Sequence, residues 1–101
     1  MSGLPHRFDL DALAEYEEAA CYYAAQQSGL DSRFIASIED AIALICEAPE
    51  RWRLFAGSEV RRAFARVFPY SILYSVEPDH ILIIAVAHYS REPGYWRPRL
   101  S

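Results

Sequence analysis

At 101 residues, 52% of them hydrophobic and 24% charged, the chain is sized for one folded domain with a single core and is too apolar for a disordered tail. Its net charge of −4 is unevenly spread: residues 1–50 hold two arginines against ten acids, residues 51–101 eight arginines against four acids, and there is no lysine. The first half should repel nucleic acid, whereas the second can meet phosphate or an acidic protein segment through arginine forks. The Met-Ser-Gly start lacks a basic region followed by a long apolar run, so neither a signal peptide nor a membrane span is expected, and the expected compartment is the cytoplasm.

Arg7-Phe8 reads as the end of a brief edge strand, and Asp9 as the N-cap of a first helix over 10–27. Phe8 and Leu13 stand at hydrophobic-staple spacing. Leu13, Tyr16, Ala20 and Tyr23 recur at three- and four-residue steps and predict the buried stripe, with Glu15, Glu17 and Glu18 largely off it. Gly29 is read as a C-cap glycine and Asp31 as the cap of a second helix over 32–47. The apolar face of that helix is Phe34, Ile38, Ala41, Ile42 and Ile45; Leu30 and Ile35 offer a second staple, Glu39-Asp40 reads as solvated surface, and Pro49 ends the helix. Cys21 and Cys46 are read as free, buried thiols. Neither has a histidine at ligand spacing, so no metal is expected, and the absence of a glycine-rich phosphate loop leaves no cofactor to expect.

The loop over 49–59 carries Trp52 and Phe55, read as plugs between the helices and a sheet. Three consecutive antiparallel strands should follow: Val60 to Val67, Tyr70 to Val76 and Ile81 to Ala87, the last two joined at Pro78-Asp79. In the first strand, alternation puts Arg62, Phe64 and Arg66 on one side and Arg61, Ala63 and Ala65 on the other, so Arg61 and Arg62 cannot both face the helices. A shallow positive groove is expected where Arg61 or Arg66 joins Arg91. His88, at the end of the last strand, can act as a general acid or base, or can bond a backbone carbonyl and fix the bend. Tyr89, Tyr95 and Trp96 either cap the core or stack on a base or partner. The end of the chain, from Arg97 to Ser101, is expected to be loosely held.

Arg7-Phe8, Glu15-Tyr16-Glu17-Glu18-Ala19, Tyr22-Tyr23, Val60-Arg61-Arg62, the run Arg66-Val67-Phe68-Pro69-Tyr70, and Ala87-His88 with Arg91 and Pro93-Gly94-Tyr95-Trp96 together resemble the RelE/ParE superfamily of toxins, in particular its plasmid-stabilisation, ParE-like branch. The resemblance covers nearly the whole chain. It implies an α+β fold, with an N-terminal antiparallel αα-hairpin packed on a small antiparallel sheet. It also implies a cognate antitoxin that wraps the toxin and that alone brings the pair to operator DNA. Arg61, Arg62, Arg66, Tyr89, Arg91 and Trp96 are then the expected partner-binding residues. RelE-like members of the superfamily cut messenger RNA on the ribosome; ParE-like members inhibit DNA gyrase. Were this chain a nuclease, His88, Arg91, Arg66 and Tyr95 would be the catalytic set. The lack of lysine and the acidic balance point instead to the ParE-like side, with gyrase as target.

Overall fold

The structure, a computed structural model, describes residues 3–100. Two helices, α1 (Leu10–Gln26) and α2 (Leu30–Glu47), form an antiparallel hairpin over one face of a four-stranded sheet. The strands are β1 (His6–Phe8), β2 (Arg61–Phe64), β3 (Tyr70–Val76) and β4 (Ile81–His88), in the spatial order β1-β4-β3-β2. The three later strands form the expected antiparallel meander, and the turn at Pro78-Asp79 is closed by the Glu77 amide on the His80 carbonyl at 2.9 Å. The short first strand lies parallel to β4, which makes the sheet mixed.

Asp9 ends one element and starts the next. Its amide donates to the Ile83 carbonyl at 2.9 Å, extending the β1–β4 pairing, and its carboxylate accepts from the Asp11 amide at 2.9 Å, capping α1. The break between the helices differs from the reading of its glycine. α1 closes at Gln27, and Gly29 is the N-cap residue of α2, at φ 86°, so the helix begins at Leu30 and Asp31 lies inside its first turn. A left-handed backbone at Gly29, open only to a residue without a Cβ at low cost, lets the chain reverse in so few residues.

The helix-facing core joins Ala12, Tyr16 and Ala19 of α1 to the expected face of α2 and to Ile72, Tyr74, Ile81, Ile83 and Val86 of the sheet. The buried stripe of α1 is therefore rotated from the expected one. Leu13 is 37% exposed, because alanines at 12 and 19 let the helix approach β4 closely and push position 13 to the rim. Phe8 stacks on Tyr16, with ring centroids 5.7 Å apart, and Ile35 is 38% exposed, so neither Leu13 nor Ile35 is buried as a staple would have it. Cys21 is exposed and Cys46 half-buried, both free; burial pushes the Cys46 thiol up. Glu39, on the exposed side of α2, accepts from the buried Tyr16 hydroxyl at 2.7 Å and ties the two helices together.

A second apolar cluster covers the other face of the sheet. Val60, Leu73, Ile84, Ala85 and Ala87 pack under Trp96, which is 2% exposed, with Phe55 set edge-on to the indole at 5.2 Å. Of the two loop aromatics only Trp52 packs against the helix-side core; Phe55 belongs to the opposite face. Trp96→Ala should cost about 3–5 kcal/mol by urea unfolding, as for a large aromatic removed from a core. Leu10→Ala, at a site 82% exposed, should stay within about 0.5 kcal/mol of wild type.

Candidate functional site

β4 outruns its parallel neighbour. Pairing with β1 covers Ile81 to Ile83, and the edge from Ile84 onward has no strand beside it among the described residues. A bulge falls at this point: Tyr74 pairs with Ile83 but Leu73 with Ala85, so Ile84 is an extra residue. Ile84 and Ala85 consequently both lie in the second-face cluster, and Val86 returns to the helix side.

The freed backbone groups of that edge are taken by two side chains. The Val86 amide donates to Glu15 at 3.0 Å, and the Ile84 carbonyl accepts from Arg99 at 2.9 Å. Arg99 also forks onto both Glu15 oxygens, at 3.0 and 2.9 Å, and the Tyr95 hydroxyl donates to the same carboxylate at 2.6 Å. Glu15 and Arg99 each expose only 14% of their side chains. Burial alone would raise the Glu15 carboxyl, but the bonds from Arg99, Tyr95 and the Val86 amide outweigh it and hold the group below its ordinary 4.5. Burial, and then the same carboxylate, push the Tyr95 hydroxyl upward. Neither Glu15, read as off the buried stripe, nor Arg99, read as part of a loose tail, was singled out by the sequence. The available signal was position: Glu15 falls between Ala12 and Ala19 on the helix face that meets the sheet. The tail is fastened on its other side as well, by Arg97 donating to the Ala56 carbonyl at 3.1 Å; Ser101 lies outside the described residues.

Next to this clamp, on the second face, a small cavity of about 80 Å³ is lined by Arg62, Ser71, His88, Arg91, Tyr95 and Trp96, among others. That is well short of the roughly 300 Å³ at which small-molecule pockets begin, so the surface suits a macromolecule better than a metabolite. Arg62 donates through Nε to the buried Ser71 hydroxyl at 3.0 Å and lies 4.9 Å over the Phe64 ring. Arg91 stacks 3.8 Å above Tyr95 and stands 3.7 Å from Glu15, with half its side chain exposed. Nδ1 of His88 accepts the Ser90 amide at 3.0 Å and lies 2.8 Å from its hydroxyl, so the neutral ring carries its proton on Nε2. The bend is thus held by an amide donating to the imidazole, where the sequence reading had the imidazole bonding a carbonyl.

Arg61 and Arg66 do not join Arg91. Arg61 lies on the helix side and donates to the Trp52 carbonyl at 2.6 Å. Arg66 shares the parity of Arg62, but β2 stops at Phe64, and the left-handed turn at Val67 (φ 76°) swings Arg66 toward α2, where its carbonyl accepts from the Ser37 hydroxyl at 2.6 Å. The arginine partner of Arg91 in the cavity is Arg62. Trp96 is buried as a core cap and Tyr89 is 50% exposed, its ring edge-on to Phe64 at 6.1 Å. No group of three or more His, Cys, Asp or Glu side chains among the described residues is placed to hold a metal, and no helix among them is long and apolar enough to cross a membrane.

A helical hairpin on a small mixed sheet, closed by a tail bearing arginine and aromatics, defines a RelE/ParE-type toxin fold. A chain of the chromosomal ParDE toxin–antitoxin system from P. aeruginosa is similar with a TM-score of 0.72 at 15% identity, over 84% of this chain and 95% of that one. A mutant of the E. coli toxin RelE in its free state is similar with a TM-score of 0.69 at 17% identity, over 98% of this chain and 99% of that one. No curated protein matches the sequence. Residues 7–93 match the family described as the ParE toxin of the type II toxin-antitoxin system, parDE, and the chain belongs to that family.

Because the Glu15 carboxyl is held below its unfolded value, its contribution to stability is complete above about pH 4.5 and is lost as pH falls through the lower folded value. Glu15→Gln should remove this acid-side slope. It should also cost about 2 kcal/mol at pH 7, the loss of charge-assisted bonds at a nearly buried site, as read by urea unfolding at pH 7 and at pH 3.5–5.

Proposed function

We propose that this protein is the toxin of a type II toxin–antitoxin pair, held inactive by a cognate antitoxin in the cytoplasm, and that it acts in the ParE-like manner by inhibiting DNA gyrase. The observation that carries the reading is the ParE toxin family match across residues 7–93. The geometry supports it from the other side. Four residues would have to converge to cleave RNA: His88, Arg91, Arg66 and Tyr95. Arg66 stands on the α2 side of the molecule, away from the cavity. The Tyr95 hydroxyl, which would assist a leaving oxygen, already donates to Glu15, and burial together with that carboxylate draws its proton affinity the wrong way for an acid. The same carboxylate lies beside Arg91 and offsets the positive charge that a phosphorane would need.

What favours the second reading, a ribosome-dependent messenger RNA endonuclease, is that His88 and Arg91 share one cavity with Arg62. The two readings separate in cells and in vitro. Induction of the chain without its antitoxin should produce double-strand breaks and an SOS response, and the purified protein should inhibit gyrase supercoiling with His88→Ala as active as wild type. Codon-linked cleavage of translated messages, abolished by His88→Ala or Arg91→Ala, would establish the nuclease in its place. Normal growth with neither effect would mark a protein-binding module without toxicity.

A further inference from the structure

The loop over 49–59 is strung along the outer side of β2. The Arg62 amide donates to the Arg53 carbonyl at 3.1 Å, the Phe55 amide donates to the Val60 carbonyl at 2.7 Å, and Leu54 bridges to Arg61. This pairing covers part of the strand edge and fixes the loop backbone. Between the loop and β2 lies a hollow of about 610 Å³, lined by Arg51, Arg53, Arg62 and Phe64 among others, and by no acid among the described residues. Arg97 of the tail borders it: its guanidinium donates to the Ala56 carbonyl at 3.1 Å. Neither acid of the loop, Glu50 or Glu59, lines the hollow, and Glu59 borders a separate one beside Glu77.

Three of these four arginines are set over three different aromatic rings. Arg51 stands 5.2 Å over Trp52, Arg62 4.9 Å over Phe64 and Arg97 5.4 Å over Phe55. A guanidinium held on a ring face has less rotamer freedom left to lose and keeps in-plane N–H donors for an anion. None of the four makes a salt bridge among the described residues, so no carboxylate offsets their charge. At Phe64 the hollow adjoins a groove of about 350 Å³ between α2 and β2, which holds Arg33 and Arg66 but also Asp40 and the aliphatic Leu44 and Val67. The unmixed positive surface is therefore the loop side of β2, on a chain whose net charge is −4.

Forks spread around a hollow match a row of fixed anions better than a single one. The rim is open, with Phe64 52% and Leu54 47% exposed, so a metabolite seated there would keep much of its surface in water. A single nucleic-acid strand needs free ring faces on which its bases can stack, and here each ring already carries a guanidinium. Duplex DNA needs no such platform. It presents phosphates every 3.4 Å or so along each strand, already fixed in place, and arginine binds phosphate bidentately. An acidic peptide would first have to be ordered, at a cost in entropy that a duplex does not carry.

We propose that the loop side of β2, through Arg51, Arg53, Arg62 and Arg97, grips the phosphate backbone of duplex DNA without reading its sequence. That the duplex is the segment bound by gyrase rests on the gyrase reading above; the chemistry of the surface does not. The acid-rich first half of the chain is repelled by the same phosphates, which orients the protein on the duplex.

The test is fluorescence anisotropy of a labelled duplex of about 20 base pairs, titrated with the full-length chain between roughly 50 and 200 mM salt. Four contacts should give log affinity a slope of about −3 to −4 against log salt, a loss of roughly a hundredfold across that range. Arg51→Ala with Arg53→Ala should lower the slope by about two and weaken binding at the lowest salt by about tenfold or more. Arg51→Lys with Arg53→Lys, which keeps the charge, should restore most of the slope. Arg7→Ala, in β1 at the opposite edge of the sheet, should change neither quantity. No binding at the lowest salt, a slope unchanged by the double alanine variant, or tighter binding of a polyglutamate peptide or an oligouridylate to this surface would overturn the proposal. Gyrase supercoiling is scored separately. Inhibition by a chain that does not bind the duplex overturns this surface alone, whereas duplex binding without inhibition leaves the surface standing and overturns its assignment to gyrase.

Discussion

Glu15 joins the front of the chain to its end. It projects from the first helix onto the bulged edge of β4 and takes the Val86 amide on one side and the Arg99 fork and Tyr95 hydroxyl on the other. A nearly buried ion pair is seldom stabilising by itself, since removing two charges from water costs several kcal/mol per ion. This one offsets that cost because the carboxylate oxygens receive an amide and a phenol besides the guanidinium, and because the guanidinium in turn satisfies the Ile84 carbonyl. Without the pair, β4 would end in an unpaired edge, the kind of surface that invites pairing with other chains.

The clamp decides which surfaces remain for a partner. Arg99 and Arg97 hold the tail from both sides, and between them Trp96 is laid over the middle of the second face. That face is therefore closed where the sheet is most apolar. The open arginines lie instead toward β2, where Arg62 faces the small cavity and Arg33 and Arg66 border the α2 groove. Arginines thus line one edge of the meander, in the groove between α2 and β2 and on the surface that adjoins it at Phe64.

The order of elements was legible because it rests on local signals: alanine-rich periodicity for α1, the Phe34–Ile45 face for α2, and β-branched runs around Pro78-Asp79 for the hairpin. What escaped were features set by long-range geometry. Parallel pairing of β1 with β4 follows from where α1 must start, and no local pattern encodes it. The bulge at Ile84 cannot be read from a run that is apolar on both faces, since a register change leaves such a run looking the same. Glu15 looked like one of three surface acids, and only the bare edge opposite it distinguishes it from Glu17 and Glu18. At the candidate site, alternation correctly separated Arg61 from Arg62, but it failed for Arg66 because β2 ends before that residue and the chain turns at a strained valine.

The Glu15 carboxylate completes the β4 edge and so fastens the tail. Amide hydrogen exchange at Val86 measures this directly, because among the described residues that amide meets no strand backbone and donates to Glu15. At neutral pH Val86 should be protected to the same depth as the amides of central β3, and Glu15→Ala should remove the protection. Exchange of the wild-type Val86 amide at the rate of an exposed loop amide would contradict it.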